Sequence, residues 1–283
     1  MLTLVGRSQE RLDAARLAIE REVANVGSIC TIVADITNAH DMHRVISEAN
    51  AYHSRVTDHI VCAAQTSPKA LFTEVEPAAM HAVMELNYYG VINVLKAALP
   101  VMVEKGVRGR IVLVSSVDGL APTVDSALFT GSKFALRGLA EALRNEMILY
   151  GIQVCIFYPG SYSSPYPRKT AINETANLLT PPVGDDSSVT SYTKDGEIAS
   201  NSDLEKQANA LMNGLWARYF AITCSPSGYL TRMLGNGVSP RKNTPFELLV
   251  LPLLAVVQTL FELVTSRPPR EFLQRLQNAG QNV

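Results

Sequence analysis

Blocks of apolar residues alternate with segments of mixed polarity along most of this chain. Short runs that are apolar at nearly every position occur at residues 2–5, 28–33, 59–64, 110–114 and 152–157. Runs of this kind are typical of strands covered on both faces, as in a parallel sheet. Between them, apolar residues recur at helical spacing. The pattern therefore predicts an α/β fold in which helices cover both faces of a doubly wound parallel sheet.

The segments between the strands carry helix start and stop signals. Asn38 is suited to cap one helix, Pro77 fits the first turn of another, and Gly151 ends a third. These signals and the periodicity predict four helices, at about residues 9–23, 38–54, 77–104 and 127–150.

The pattern weakens in the second half of the chain. Residues 161–202 are rich in Pro, Gly, Ser, Thr and Asn, which predicts a loop. Ser202-Asp-Leu-Glu205 then has the spacing of a capping box and predicts a helix through Trp216. The predicted organisation is a dinucleotide-binding catalytic region (1–165), a substrate-side loop and helix region (166–240) and an apolar carboxy-terminal segment (241–283).

The apolar segment is most hydrophobic from Phe246 to Val264. Its uncharged core, Leu248 to Phe261, is shorter than the ~20 residues that a membrane-spanning helix needs. One interpretation is a membrane-surface or re-entrant segment, since arginine and lysine residues flank it on both sides. The other is a helix that is buried or faces a second subunit.

Composition narrows the class of partner. The 283 residues are 47% hydrophobic and 18% charged, with a formal net charge of −1. That charge argues against nucleic acid as a main partner, because phosphate binding needs a basic surplus. Neither HExxH nor a Cys/His ligand spacing occurs, so no metal site is predicted. Four dispersed cysteines without a CxxC pair predict reduced thiols and a reducing compartment: Cys30, Cys62, Cys155 and Cys224.

The most informative stretch is Ser115 to Lys133. Ser116 follows an apolar run, position 129 lies thirteen residues later, and Lys133 lies one helical turn beyond that. A serine, a phenol and a lysine at these spacings suit carbonyl reduction. The serine holds the substrate oxygen, the phenol gives a proton, and the lysine lowers the pKa of the phenol. Here the aromatic residue is Phe129, which has no proton to give.

These elements resemble the short-chain dehydrogenase/reductase family over about residues 2–165. Within that family, Lys133 to Leu143 (KFALRGLAEAL), Gly109 to Ser116 (GRIVLVSS) and Tyr158-Pro-Gly160 resemble 3-ketodihydrosphingosine reductases. The resemblance implies NADPH-dependent reduction of a long-chain lipid ketone to dihydrosphingosine. It also implies a place at the endoplasmic reticulum membrane, with the catalytic region facing the cytosol.

The resemblance also implies residue roles in the reaction. Ser116 would polarise the substrate carbonyl, and Lys133 would hold the nicotinamide ribose. Asn87 would support a proton relay, although a buried asparagine can also serve only to bend or cap a helix. Phe129 stands at the position of the proton-donating tyrosine.

For the cofactor, the resemblance points to both ends of a bound dinucleotide. Arg7 would grip the adenosine 2′-phosphate, which favours NADPH, although it can also be an ordinary exposed arginine. Asp35 would contact the adenine, or only form a turn. Ala64 lies in the segment that approaches the adenosine ribose, and Pro159 and Gly160 would line the nicotinamide pocket.

The sequence departs from the family pattern in three places. Phe129 lacks the tyrosine hydroxyl, and Gln65 brings a side chain where the family has glycine. The first strand of the family and its glycine-rich turn have no counterpart, and that strand is central in the sheet. Its flanking strands would lie roughly 9–10 Å apart with unpaired edges. We therefore expect the chain to be a piece of a longer protein.

Three functions remain open on this basis. The first is an NADPH-dependent sphingolipid reductase whose chemistry is impaired by Phe129. The second is a non-catalytic, membrane-associated binding or scaffold protein of the same family. The third is a reductase of another lipid, steroid or retinoid ketone. A homodimer formed through the helices that hold Asn87 and Lys133 is a further possibility.

Overall fold

The structure is a computed structural model that describes residues 1–23, 27–160 and 201–235, with Pro252, Leu253 and Val256. The chain divides into two compact units, Met1–Gly228 and Tyr229–Val283. The predicted loop at 161–202 and the predicted apolar segment lie largely outside the described residues. The predicted boundaries at 165 and 240 stay predictions.

All five predicted strands are present, with ends that differ by no more than two residues. The strands are β1 (Leu2–Gly6), β2 (Ile29–Val33), β3 (His59–Cys62), β4 (Arg110–Val114), β5 (Gln153–Tyr158) and β6 (Ala221–Thr223). The helices are α1 (Gln9–Glu22), α2 (Ala39–His53), α3 (Pro77–Met84), α4 (Gly90–Glu104), α5 (Ala127–Met147), α6 (Asn201–Trp216) and α7 (Pro226–Leu234). Asn38 caps α2 as predicted, because its side chain accepts a hydrogen bond from the His40 amide at 3.0 Å. The sequence did not predict β6 or α7.

The strands form two separate parallel sheets. β1 pairs with β2, and the other four strands lie in the order β3-β4-β5-β6. Within the described residues, no strand pairs with the free edges of β1 and β3. The predicted break in the sheet is therefore confirmed. Val5 in β1 is 40% exposed and Val61 in β3 is 56% exposed, values unusual for strands in the middle of a doubly wound sheet.

Helices cover both faces of the sheets, as predicted for a doubly wound fold. One apolar core joins the strands to α2, α4 and α5, and it includes residues from both sheets, such as Ile32 of β2 and Ile60 of β3. On the opposite face of β4 and β5, Leu215 of α6 packs with Val112 and Phe157. The larger core therefore spans the break between the sheets.

The long helix predicted from residue 77 to 104 is interrupted by a π-helical turn at Glu85–Tyr89, which connects α3 to α4. By length and composition, Pro77–Glu104 could also cross a membrane. It packs against α2 and α5, and its apolar residues Val91 and Leu95 belong to the core. The packing inside the fold accounts for its apolar composition. The π turn has a second consequence, because it carries Asn87.

Candidate active site

The candidate site lies where β4 and β5 end. The Ser115 amide donates to the Phe157 carbonyl at 2.7 Å, and the Val117 amide donates to the Pro159 carbonyl at 3.2 Å. These bonds continue the strand pairing past the ends of β4 and β5 and bring Ser116 beside Pro159. The carboxyl edge of a parallel sheet is where open α/β folds bind ligands.

Lys133 is fixed over the end of β4. Its side chain is 1% exposed, and Nζ donates to the Val114 carbonyl at 2.9 Å. Burial lowers the pKa of the Lys133 ammonium to about 7. The Nζ atom lies 5.3 Å from the centre of the Phe129 ring, which is itself 4% exposed. Helix α5 therefore holds an amine, neutral in part at physiological pH, against an aromatic ring without a hydroxyl.

Gly119 lets the turn after Ser116 pack closely against α5. A Cβ atom at position 119 would lie 2.6 Å from the Ser115 Oγ and 3.2 Å from the Lys133 Cβ. Real Cβ atoms do not approach other atoms as closely as the first of these distances. The absence of a side chain at Gly119 is thus what allows the serine turn and the lysine helix to share one edge.

Asn87 connects three elements around the site. It is fully buried, its Oδ1 accepts from the Thr66 amide at 2.8 Å, and its Nδ2 donates to the Thr66 carbonyl at 2.9 Å. Nδ2 also donates to the Ser132 Oγ at 2.9 Å, and Ser132 in turn donates to the Phe129 carbonyl at 2.7 Å. The amide joins the π turn to the segment after β3 and to α5, which is a structural role in addition to the predicted relay.

Replacing Asn87 by alanine is expected to lower the free energy of unfolding by about 2–5 kcal/mol. The change leaves the half-buried amide and carbonyl of Thr66 without their Asn87 partner, at up to about 1–3 kcal/mol for each group. Denaturant unfolding followed by circular dichroism measures the loss. Asn145→Ala at the exposed end of α5 is the matched control, with an expected change within about 0.5 kcal/mol. Equal stabilities for the two variants would contradict this role.

Ser116 is bonded to a residue that the sequence reasoning missed. Its Oγ donates to the Asp118 Oδ2 at 3.2 Å and accepts from the Asp118 amide at 3.2 Å. Asp118 Oδ1 accepts from the Thr123 hydroxyl at 2.9 Å. A serine hydroxyl that accepts from the amide two residues on is a common turn, and that signal could have pointed to position 118.

The residues predicted to bind adenosine lie at the ends of β1 and β2. Arg7 Nη1 is 3.9 Å from Asp35 Oδ2, and Asp35 Oδ1 accepts from the Thr37 amide and hydroxyl, both at 2.9 Å. Asp35 thus forms the turn that was the alternative interpretation of its role. Arg7 has a half-exposed side chain. An approaching phosphate could reach its guanidinium without unfolding the strand ends.

The segment after β3 offers an unused hydrogen-bond acceptor. Gln65 Oε1 is buried and has no hydrogen-bond partner among the described residues, whereas the neighbouring Ala64 is exposed. A ribose hydroxyl is the kind of donor that would satisfy this atom. The residues present therefore fit the adenosine half of a dinucleotide, even though Gln65 stands where the family has glycine.

The nicotinamide end also has a contact that the sequence did not indicate. The Gly160 amide donates to the Cys224 Sγ at 3.0 Å, which ties the turn after β5 to the residue after β6. All four cysteines are free thiols, and burial raises the pKa of Cys62 to about 12. The prediction of reduced thiols is confirmed.

Comparisons with known proteins agree with this geometry. Residues 1–175 match the short chain dehydrogenase family. The chain belongs to this family. Its short-chain dehydrogenase fold is also similar to gluconate 5-dehydrogenase from Burkholderia cenocepacia, crystallised with NADP and tartrate. That likeness has a TM-score of 0.52 and 26% identity, and it covers 57% of this chain and 62% of the other.

Two relatives of this short-chain dehydrogenase carry the same type of name. A zebrafish (Danio rerio) 3-dehydrosphinganine reductase is 31% identical over 241 residues, 84% of this chain and 68% of the relative. A mouse (Mus musculus) 3-ketodihydrosphingosine reductase is 34% identical over 166 residues, 58% of this chain and 49% of the relative. The match thus spans about half the length of the mouse relative and two thirds of the zebrafish one.

Proposed function

We propose that this chain carries the site of an NADPH-dependent reductase that converts 3-ketodihydrosphingosine to dihydrosphingosine in sphingolipid synthesis. The observation that carries the proposal is the convergence of Ser116, Phe129 and Lys133 at the carboxyl edge of the sheet. The names of the zebrafish and mouse relatives support the substrate class. We also propose that the long-chain ketone binds at this edge of the sheet.

The roles of the residues follow from their positions. A bound dihydronicotinamide would supply a hydride to the carbonyl carbon. Lys133 would hold the nicotinamide ribose beside Pro159 and Gly160, while Ser116 would hold the substrate oxygen. Asn87 keeps α5 and the segment of Ala64 in register by its bonds to Thr66 and Ser132.

Phe129 would impair this chemistry without removing hydride transfer. General acid catalysis typically contributes about 10²- to 10⁴-fold to a rate. With no phenol at position 129, a proton has to come from water or from another side chain. The expected wild-type activity is therefore low and measurable rather than absent.

Arg7 gives the proposal a test of cofactor choice. Its guanidinium can pair with a 2′-phosphate, which NADPH carries and NADH lacks. We expect Arg7→Ala to weaken NADPH binding about 10- to 100-fold and to leave NADH binding within about twofold, as measured by calorimetric titration. Arg16→Ala is the matched control, because Arg16 pairs with Glu20 on the exposed side of α1. Equal losses for the two cofactors would contradict a 2′-phosphate contact.

A second candidate function is favoured by Phe129 and Gln65, which both depart from the family's catalytic pattern. In this second function the chain is a non-catalytic, membrane-associated binding or scaffold protein. A third function is the reduction of another lipid, steroid or retinoid ketone. We also propose that the protein lies at the cytosolic face of the endoplasmic reticulum and forms a homodimer. Measured consumption of NADPH by the wild-type chain with 3-ketodihydrosphingosine would rule out the scaffold function. Turnover only with a steroid or retinoid ketone would favour the third option.

A further inference from the structure

The hydroxyl of Ser116 has a defined direction. A carboxylate can only accept, so the hydrogen of Ser116 points to Asp118 Oδ2, and the Asp118 amide uses one lone pair of the Ser116 oxygen. One acceptor position remains on Ser116. A substrate group that meets Ser116 in this state must donate a hydrogen bond, as an alcohol can and a ketone cannot.

The far side of the carboxylate is also held. Thr123 Oγ1 donates to Asp118 Oδ1 at 2.9 Å and lies 2.7 Å from Ser126 Oγ, whose hydroxyl donates to the Thr123 carbonyl at 2.8 Å. Ser126 is buried and also lies 3.2 Å from the Thr130 hydroxyl, one residue after Phe129. These hydroxyls hold Asp118 in the orientation in which it faces Ser116. Asp118 is half-buried and Thr123 is exposed, so a proton on the carboxylate can pass to water.

We propose that Ser116 and Asp118 form a proton-accepting pair that replaces the missing phenol and that arranges this site for oxidation of the alcohol. The inference rests on the proposed function, because it concerns the same site and the same substrate pair. Asp118 does not touch the substrate and acts through Ser116, so it is a positioning residue that also receives the proton.

The step balances with an oxidised nicotinamide dinucleotide as the hydride acceptor. The carbinol C–H bond breaks and its electron pair leaves as hydride, while the O–H bond breaks and the carbonyl bond forms. The hydroxyl proton passes to Ser116 as the Ser116 proton passes to Asp118, which releases it to water. In reduction the protons move the other way: an Asp118 that carries the proton donates it to Ser116, and the Ser116 hydroxyl donates its own to the ketone oxygen.

Asp118→Asn separates proton acceptance from hydrogen bonding. The asparagine amide has nearly the same shape and can still accept a bond from Ser116, but it cannot take a proton. We expect the kcat for oxidation of dihydrosphingosine to fall about 10²- to 10⁴-fold, with KM within about threefold of wild type. Asp125→Asn, seven residues along the same loop, is the matched control and should leave kcat unchanged.

Chemical rescue adds a readout that a structural role would not move. In Asp118→Ala, formate can occupy the space of the lost carboxylate. Added formate should therefore raise the kcat of this variant at least about tenfold. Formate should not activate Asp118→Asn, in which that space is filled. A kcat for Asp118→Asn within twofold of wild type would overturn the inference, as would a failure of formate to rescue Asp118→Ala.

Ligand binding tests the direction of the Ser116 hydroxyl without turnover. Calorimetry with the wild-type chain should give about fivefold tighter binding of a short-chain dihydrosphingosine than of the matching ketone, equivalent to one hydrogen bond. In Asp118→Ala the serine can rotate and donate to a ketone, so the preference should disappear. Tighter binding of the ketone by wild type would overturn the inference. If the wild type turns over substrate and Asp118→Asn has no effect, only this inference is wrong. If the wild type turns over substrate in neither direction, the proposed function is wrong as well.

Discussion

Replacing Phe129 by tyrosine is expected to raise the kcat for ketone reduction by about 10²- to 10⁴-fold. The added hydroxyl would lie at the end of a ring whose centre is 5.3 Å from Lys133 Nζ. The protonated form of Lys133, present in part near neutral pH, stabilises a phenolate and lowers the pKa of the phenol, which makes the phenol a better proton donor. Phe129 lies one helical turn before Lys133 on α5, so the added hydroxyl and the amine belong to the same helix.

The measurement is NADPH consumption with 3-ketodihydrosphingosine for wild type and Phe129→Tyr under saturating substrate. Phe134→Tyr is the matched control, since Phe134 lies five residues along the same helix and is 41% exposed. It adds the same hydroxyl away from Lys133 and should leave kcat unchanged. Equal rates for wild type and Phe129→Tyr would show that position 129 is not the position of the acid in this chain.

Replacing Lys133 by methionine is expected to stabilise the chain at pH 7 and to remove a pH dependence of its stability. Burial lowers the pKa of Lys133 to about 7 in the folded chain, whereas an unfolded lysine has a pKa of about 10.4. Between these values the unfolded chain binds more protons than the folded one. The free energy of unfolding of the wild type therefore rises with pH from about 7 to about 10. Below pH 7 the cost of burying this group is fully present and no longer changes with pH.

The size of the effect follows from the same shift. A difference of about three pKa units corresponds to about 4 kcal/mol. Methionine avoids this cost but leaves the Val114 carbonyl without its Nζ partner, at about 1–3 kcal/mol, so a net gain of about 2 kcal/mol is expected at pH 7. The free energy of unfolding is measured with urea at pH 7, 8.5 and 10. The proteins compared are the wild type, Lys133→Met and the control Lys96→Met, whose lysine is exposed. If the free energy of unfolding changed equally with pH in the wild type and in Lys133→Met between pH 7 and 10, burial would not lower the pKa of Lys133.

The fold could be predicted because its strands are apolar at nearly every position. That pattern specifies a parallel sheet covered on both faces, and the break between β1 and β3 follows from the position of the family's first strand. The π turn at Glu85–Tyr89 was not predicted, because no Gly or Pro within residues 78–89 marks a break in the helix. Strand β6 was missed because three residues are too few to establish a pattern.

The candidate site divides in the same way. The spacing of Ser116, Phe129 and Lys133 lies within one strand–turn–helix segment, so local sequence was enough to predict that they converge. The bond from Gly160 to Cys224 joins residues 64 positions apart, and the bond from Asn87 to Ser132 joins residues 45 positions apart. No periodicity in one sequence connects such pairs. The Ser116–Asp118 bond is local, but it depends on side-chain rotamers that the sequence does not specify.

Calorimetric titration of the purified wild-type chain with NADPH and with NADH tests most directly whether this edge of the sheet is a dinucleotide site. We expect NADPH to bind with a Kd on the order of micromolar and at least about tenfold more tightly than NADH, with Arg7 responsible for the difference. No binding of either cofactor to the folded chain would contradict it, and the convergence of Ser116, Phe129 and Lys133 would then be a feature of the fold alone.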